Sequence, residues 1–281
     1  MTLVRHAAVS GQFYPAEPIE LRRVVRAFVD EATLHETAGR GKVHGERAIA
    51  VGTEATGCPR GLIVPHAGYV YSGPIAASAY VRLIPFASRT RRVVLVGPSH
   101  RVPLRGLAAS HASAFETPLG RVIVDEAAMG QLLELPQISW NDAAHQREHS
   151  LEVQLPFLQV VLPEFRLVPL VIGTATADEV SSVFDVFADD PQTVFVVSSD
   201  LSHYHDASTA SRLDQATSAS IERLADEELS SEKACGFAGI RGLLRFARRR
   251  HLQAITIDLR NSGDTAGPRD SVVGYGAYVV A

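Results

Sequence analysis

At 281 residues the chain can fold as one large α/β domain or two small ones, since domains usually hold roughly 100 to 200 residues and α/β domains often run longer. Hydrophobic residues make up 46% and charged residues 21%, a globular balance that excludes a disordered or collagen-like chain. Twenty-seven Lys and Arg against 31 Asp and Glu leave a formal net charge of -4, so no overall positive field draws the chain onto nucleic acid phosphates.

In chain order, Met1 to Val9 lacks the long apolar stretch of a secretory signal, and no later segment reaches the ~20 apolar residues of a membrane span. A cytoplasmic protein without membrane or nucleic acid partners is the expectation. Glu17 to His35 carries Leu21, Val24, Val25, Phe28 and Val29 at helical spacing. Residues 39–60 turn to Gly, Ala, Thr and scattered charge and read as a loop or insertion, with Cys58 incidental in it. Short apolar runs follow at Leu62 to Val64, Val93 to Val96, Leu167 to Ile172 and Val194 to Val197, each with the character of a buried strand. Helical patterns lie between and beyond them, at Ile75 to Leu83, Glu126 to Leu135, Asp178 to Phe187, Thr209 to Leu229 and Phe237 to Arg250. The basic run Arg248 to Arg250 closes the last of these, where cations favour a helix C-terminus. Two late β-rich runs, Ala254 to Leu259 and Val272 to Val280, complete the pattern. The alternation predicts a central sheet covered by helices on both faces. No composition shift or linker divides it, so 1–281 reads as a single domain.

Three of the strand-like runs end in polar residues able to do chemistry. Val64 is followed by Pro65-His66-Ala67-Gly68-Tyr69, Val96 by Gly97-Pro98-Ser99-His100, and Val197 by Ser198-Ser199-Asp200-Leu201-Ser202-His203. Open α/β folds build their sites at the carboxyl ends of sheet strands. A single His after a strand is more often a satisfied turn residue, but several together, flanked by Pro and Gly that fix or free the backbone, point to positioned metal ligands.

These segments, with Gly11 to Pro15, Glu148-His149-Ser150-Leu151-Glu152, Cys235-Gly236 and the late Asp270 to Tyr275, resemble the Memo family in order and approximate spacing over nearly the whole chain. The resemblance implies a three-layer α/β/α sandwich with a central mixed sheet, shared with class III extradiol dioxygenases, in which two His and a carboxylate hold iron(II). It implies His66 and His100 as the first two metal ligands, Cys235 in the carboxylate's place, and His149, Asp200 and His203 as catalytic or site-lining groups around them. The family usually continues CG-x-x-P, and Gly239 stands here in place of that Pro, which leaves the loop after the thiol open to a shift. Family members are also grouped with a radical-SAM protein, which implies a functional link to one.

Two neutral imidazoles and a thiolate suit iron(II), and copper or zinc as alternatives. The leading expectation is iron or copper redox chemistry with dioxygen or its reduced forms. Ring cleavage of a catechol-like substrate is one alternative, and a non-catalytic pocket for a peptide or small ligand is the other. If Leu201 opens a helix, Asp200 either caps it or shares a face with His203 and fixes that imidazole's tautomer, leaving His203 as general acid or base. His145 is expected at the surface, His205 as an exposed neighbour, and Tyr69 and Tyr71 as pocket walls or packing groups. His6, His35, His44, His111 and His251 receive no site role.

Overall fold

A computed structural model describes residues 3–37, 42, 43 and 58–281. Most of the expected loop at 39–60 therefore lies outside the described residues. In chain order the elements are β1 (Val4–Arg5), α1 (Pro18–Thr37), β2 (Lys42–Val43), β3 (Gly61–Val64), α2 (Tyr69–Tyr80), β4 (Arg92–Pro98), β5 (Leu107–Ala109), β6 (Ala114–Thr117), β7 (Gly120–Ile123), α3 (Glu126–Leu132) and β8 (Ile138–Trp140). They continue as α4 (Asp142–Gln146), α5 (Leu155–Val161), β9 (Arg166–Ile172), α6 (Ala177–Asp185), β10 (Thr193–Ser198), β11 (His203–His205), α7 (Ala207–Glu222), α8 (Phe237–Arg249), β12 (Ala254–Asn261) and β13 (Val272–Val280).

The main sheet runs β2-β12-β13-β3-β10-β4-β9-β5-β8, with β11 pairing β13 beside this path. Its centre, β3, β10, β4 and β9, is parallel, while β13 joins β3 antiparallel and β5 joins β9 antiparallel. The sheet is mixed, as expected. Its central strands are apolar without alternation because both faces are covered: Leu62, Ile63, Val64 and Val93 to Val96 have no exposed surface. One helical group packs α1 against α2 and α5, and another packs α6 against α8, with α8 on β4 and β10 and α7 on β12 and β13. The result is an α/β/α sandwich. No helix among the described residues is long and apolar enough to cross a membrane.

Local chemistry sets the helix starts. Asp125 accepts from the amide of Ala128 at the start of α3, Thr176 and Glu179 form a reciprocal capping box on α6, and Asp206 accepts from Ser208 and Thr209 at α7. The expected helix near Leu201 does not form, because Asp206 and not Asp200 caps the next one, and His203 to His205 pair with β13 as a strand. The basic run at the end of α8 is bound by carboxylates: Arg248 by Asp226, Arg249 by Asp185 and Arg250 by Asp189.

A second, three-stranded sheet, β1-β6-β7, fixes the start of the chain. Its strands hold only two to four residues, too short for a periodicity signal. A buried charge holds this region to the body. The fully buried carboxylate of Glu152 pairs with the Arg5 guanidinium and accepts from the amides of Ala8 (2.8 Å) and Val9 (3.0 Å) and the Tyr14 hydroxyl (2.5 Å). Arg5 also donates to the carbonyls of His145 (3.1 Å) and Glu148 (2.5 Å). Removing one partner of a buried pair strands the other charge away from water, at a cost of roughly 3–5 kcal/mol. Glu152→Ala is therefore expected to lower stability by about that amount, read as a fall in the urea midpoint, whereas exposed Glu164→Ala should move it by less than about 0.5 kcal/mol.

Candidate metal centre

The topology places three loops at one sheet edge. Parallel strands in register end together, and Ser198 of β10 lies opposite Val64 of β3 while Val197 lies opposite Val96 of β4. His66 is two residues past β3, Asp200 two past β10 and His100 two past β4. A fourth segment, 148–154, packs across this edge through Gly97, where a Cβ would stand 2.8 Å from Ser150 Oγ. A fifth brings Cys235 against Asp200, and Gly236 permits the approach because a Cβ there would lie 2.5 Å from the Ser198 carbonyl.

Side-chain donors of His66, His100 and His149 lie within 4.8 Å of one another. The rings of His100 and His149 stack at 4.7 Å, and His66 meets them edge-on at 5.1 and 5.4 Å. Hydrogen bonds fix two of the tautomers. Ser198 Oγ donates to the Ser150 carbonyl (2.6 Å) and accepts from Gln154 Nε2 (2.8 Å), so its contact with His66 Nδ1 (2.8 Å) takes a proton from the ring. His66 Nε2 is left as a lone pair, 3.3 Å from Cys235 Sγ. His100 Nδ1 likewise donates to Glu148 Oε1 (2.9 Å), freeing its Nε2. His149 packs on Phe13 at 4.7 Å, and its buried Nδ1 has no hydrogen-bond partner among the described residues.

Electrostatics keep His66 and His149 neutral. Burial, then the charges of His100, His149 and His203, hold His66 well below the ordinary imidazole range. Burial likewise brings His149 to about 4, with His100 and Arg101 adding to it and Glu148 opposing. Burial alone would raise Glu148, but bonds from the His100 ring and amide and the Ser150 amide outweigh it and hold the carboxyl at about 2. Burial, and then the Asp200 carboxylate, push the Cys235 thiol up to about 12, so without a bound cation it keeps its proton.

The donor set fits a transition metal. Sulfur at ~2.3 Å and nitrogen at ~2.05 Å from one ion stand roughly 3.3–3.6 Å apart at near-tetrahedral angles, which is the Cys235–His66 separation of 3.3 Å. His149 Nδ1 lies 3.5 Å from Glu148 Oε1 without a hydrogen bond to it, and His149 belongs to the same donor group as His66 and His100. Cys235 is not in the group of donors that are all within 4.8 Å of one another; His149 takes that place.

Other expected residues fall differently. The Asp200 carboxylate, raised by burial, accepts from the His66 amide (2.8 Å), so it braces the loop of the first histidine and shares no helix face with His203. His203 Nδ1 instead meets the Leu201 carbonyl at 2.8 Å, which leaves its Nε2 as an acceptor. His145, expected at the surface, is 2% exposed, with Nε2 on the Ala108 carbonyl at 2.9 Å. Tyr69 is a packing group whose hydroxyl donates to the Val153 carbonyl (2.7 Å), while Tyr71 is exposed. Cys235-Gly236 runs straight into α8, with Gly239 in its first turn, so no loop follows the thiol. Sequence reasoning missed Glu148, Gln154 and Ser198 as positioning groups. The only signal was their place beside the quoted histidine segments.

An α/β sandwich with a histidine cluster at the carboxyl edge of its central parallel strands is the class that fold and site define. The family described as Memo-like protein matches residues 5–279. Relatives named MEMO1 family protein are 35% identical in a Thermotoga species (strain RQ2), 32% in Sulfolobus acidocaldarius and 34% in Aquifex aeolicus. Each alignment covers 96–97% of this chain and 97–98% of the relative. The chain belongs to the Memo family.

A carboxylate behind a ligating imidazole orients it and raises its basicity, and its loss typically weakens metal binding 10–100-fold. Glu148→Gln is expected to lower affinity for iron(II) or zinc by about that factor, measured by competition with a chromophoric chelator, with the far-ultraviolet circular dichroism unchanged.

Proposed function

We propose that this Memo-family chain is a non-haem metal-binding protein in which His66, His100 and His149 supply imidazole nitrogens and Cys235 a sulfur. The carrying observation is the convergence of three imidazole donors within 4.8 Å at the sheet edge, two of them with tautomers set by buried partners. Imidazole nitrogens and a sulfur suit iron(II), copper and zinc alike, and iron(II) is the reading we adopt. Bound iron or copper would supply electron transfer to dioxygen or its reduced forms.

The chain's own groups divide the remaining work. Glu148 and Ser198 hold the two imidazoles in orientation. Asp200 keeps the His66 loop in place and accounts for part of the high thiol pKa, so the Cys235 proton leaves only when a cation takes its place. His203, whose Nδ1 meets the Leu201 carbonyl and leaves Nε2 as an acceptor, would take a proton from a bound substrate.

Anaerobic loading with iron(II), followed by elemental analysis, is expected to give about one ion per chain. The His66→Ala, His100→Ala double variant should hold less than about a tenth of that, since two of the proposed donors are gone. Oxygen uptake by the loaded wild type should disappear in the same variant. Equal metal content in the two proteins would refute the proposal.

A further inference from the structure

Asp214 is a buried carboxylate to which the metal centre gives no part. It lies on α7, 2% exposed, on the face that also buries Ala210, Thr217, Ser218 and Ile221. A carboxylate in such a place is costly unless donors replace the water it has lost. Burial pushes its carboxyl up to about 6, against the pull of Ser202 and of His205. With the folded value above the ordinary 3.8, the stability this group lends is full below 3.8 and is lost as the pH rises through about 6. At neutral pH its charge therefore adds nothing to the fold, and its contribution is the bond it makes.

That bond lies beside the centre. Asp214 Oδ1 accepts from the Ser202 amide at 3.0 Å. The other carboxylate oxygen lies so close to β13 that a Cβ at Gly274 would stand 1.9 Å from it. Gly274 in turn accepts from the Leu201 amide and donates to the Ser202 carbonyl, each at 2.8 Å. Helix, strand and loop thus meet at Ser202. It stands between Leu201, whose carbonyl meets His203 Nδ1 at 2.8 Å, and His203 itself. The next residue, Tyr204, has a φ of 63°, a left-handed conformation that a bulky side chain keeps only where its surroundings impose it, and the pairing with β13 slips there. Tyr204 is 81% exposed, so its own side chain supplies little of that constraint. The backbone bonds to Gly274 and the carboxylate of Asp214 supply it instead.

We propose that Asp214 is a positioning residue for His203: its bond to the Ser202 amide fixes the 201–205 segment on β13 and so holds the His203 ring with a proton on Nδ1 and a lone pair on Nε2. His203 is close enough to the centre for its charge to act on His66. The use of that lone pair on a substrate rests on the metal reading above; the fixing of the ring does not.

The test is a long-range proton–nitrogen spectrum of metal-free protein isotope-labelled at histidine nitrogen, at about pH 8 where imidazoles are neutral, with the His203 signals identified by their loss in His203→Gln. Wild type should show His203 in the Nδ1–H form alone. Asp214→Leu removes the acceptor, and the Nε2–H form should then appear, the ratio of the two shifting about fivefold or more for the loss of one buried hydrogen bond. Gly274→Ala, whose Cβ would displace the carboxylate while Asp214 stays in place, should do the same. Asp214→Asn keeps an oxygen for the Ser202 amide and should keep the wild-type spectrum. A merely structural Asp214 would lower the urea midpoint of Asp214→Leu and leave the His203 ring as it is. Both forms in wild type, a wild-type spectrum in folded Asp214→Leu or folded Gly274→Ala, or as large a change in Asp214→Asn as in Asp214→Leu would overturn the proposal. Iron(II) binding by the wild type, measured alongside, keeps the two readings apart: its absence would refute the metal centre, and with it the use of His203 there, whatever the spectra show.

Discussion

The carboxylate of Glu148 is the constraint on which the site depends. It is buried, and it is saturated: Oε2 accepts from the His100 amide at 2.7 Å, and Oε1 from the His100 ring and the amides of His149 and Ser150, each at 2.9 Å. A charge taken out of water stays only where such donors replace the lost hydration. One side chain thereby ties the end of β4 to the 148–154 segment, orients His100, and sets the backbone from which His149 projects.

The other half of the cluster is held from beneath by neutral groups. Tyr80 donates to Gln154, Gln154 donates to Ser198 and the Pro65 carbonyl, and Ser198 donates to Ser150 while accepting from His66. Glu152 then clamps residues 5–14 across the same segment, which brings Phe13 onto the face of His149. Donor geometry is thus decided by packed and bonded supports, which is what the proposed metal site would require.

The central architecture was legible because strands covered on both faces are uninterrupted apolar runs, as at Leu62 to Val64 and Val194 to Val197, and because histidines follow two of their ends. The small β1-β6-β7 sheet was not, since strands of two to four residues leave no period to read. Burial of charge was hidden as well. Arg5, Glu148, Glu152 and His145 have the composition of a surface, and only the three-dimensional partner reveals why each is inside. Asp200 misled for a related reason: an Asp before an apolar residue reads as a helix cap, yet its carboxylate is used by the His66 amide 134 positions away. The resemblance brought Cys235 to notice and left His149 as a lining group, whereas distance puts His149 with the other two imidazoles.

The ligand set is the point at which sequence and geometry differ most, and X-ray absorption at the iron K-edge of anaerobically loaded protein addresses it directly. The account predicts imidazole scattering together with one sulfur shell near ~2.3 Å, the sulfur lost in Cys235→Ser and the imidazole contribution reduced in His149→Ala. A spectrum of oxygen donors alone, or one unchanged by both substitutions, would contradict it.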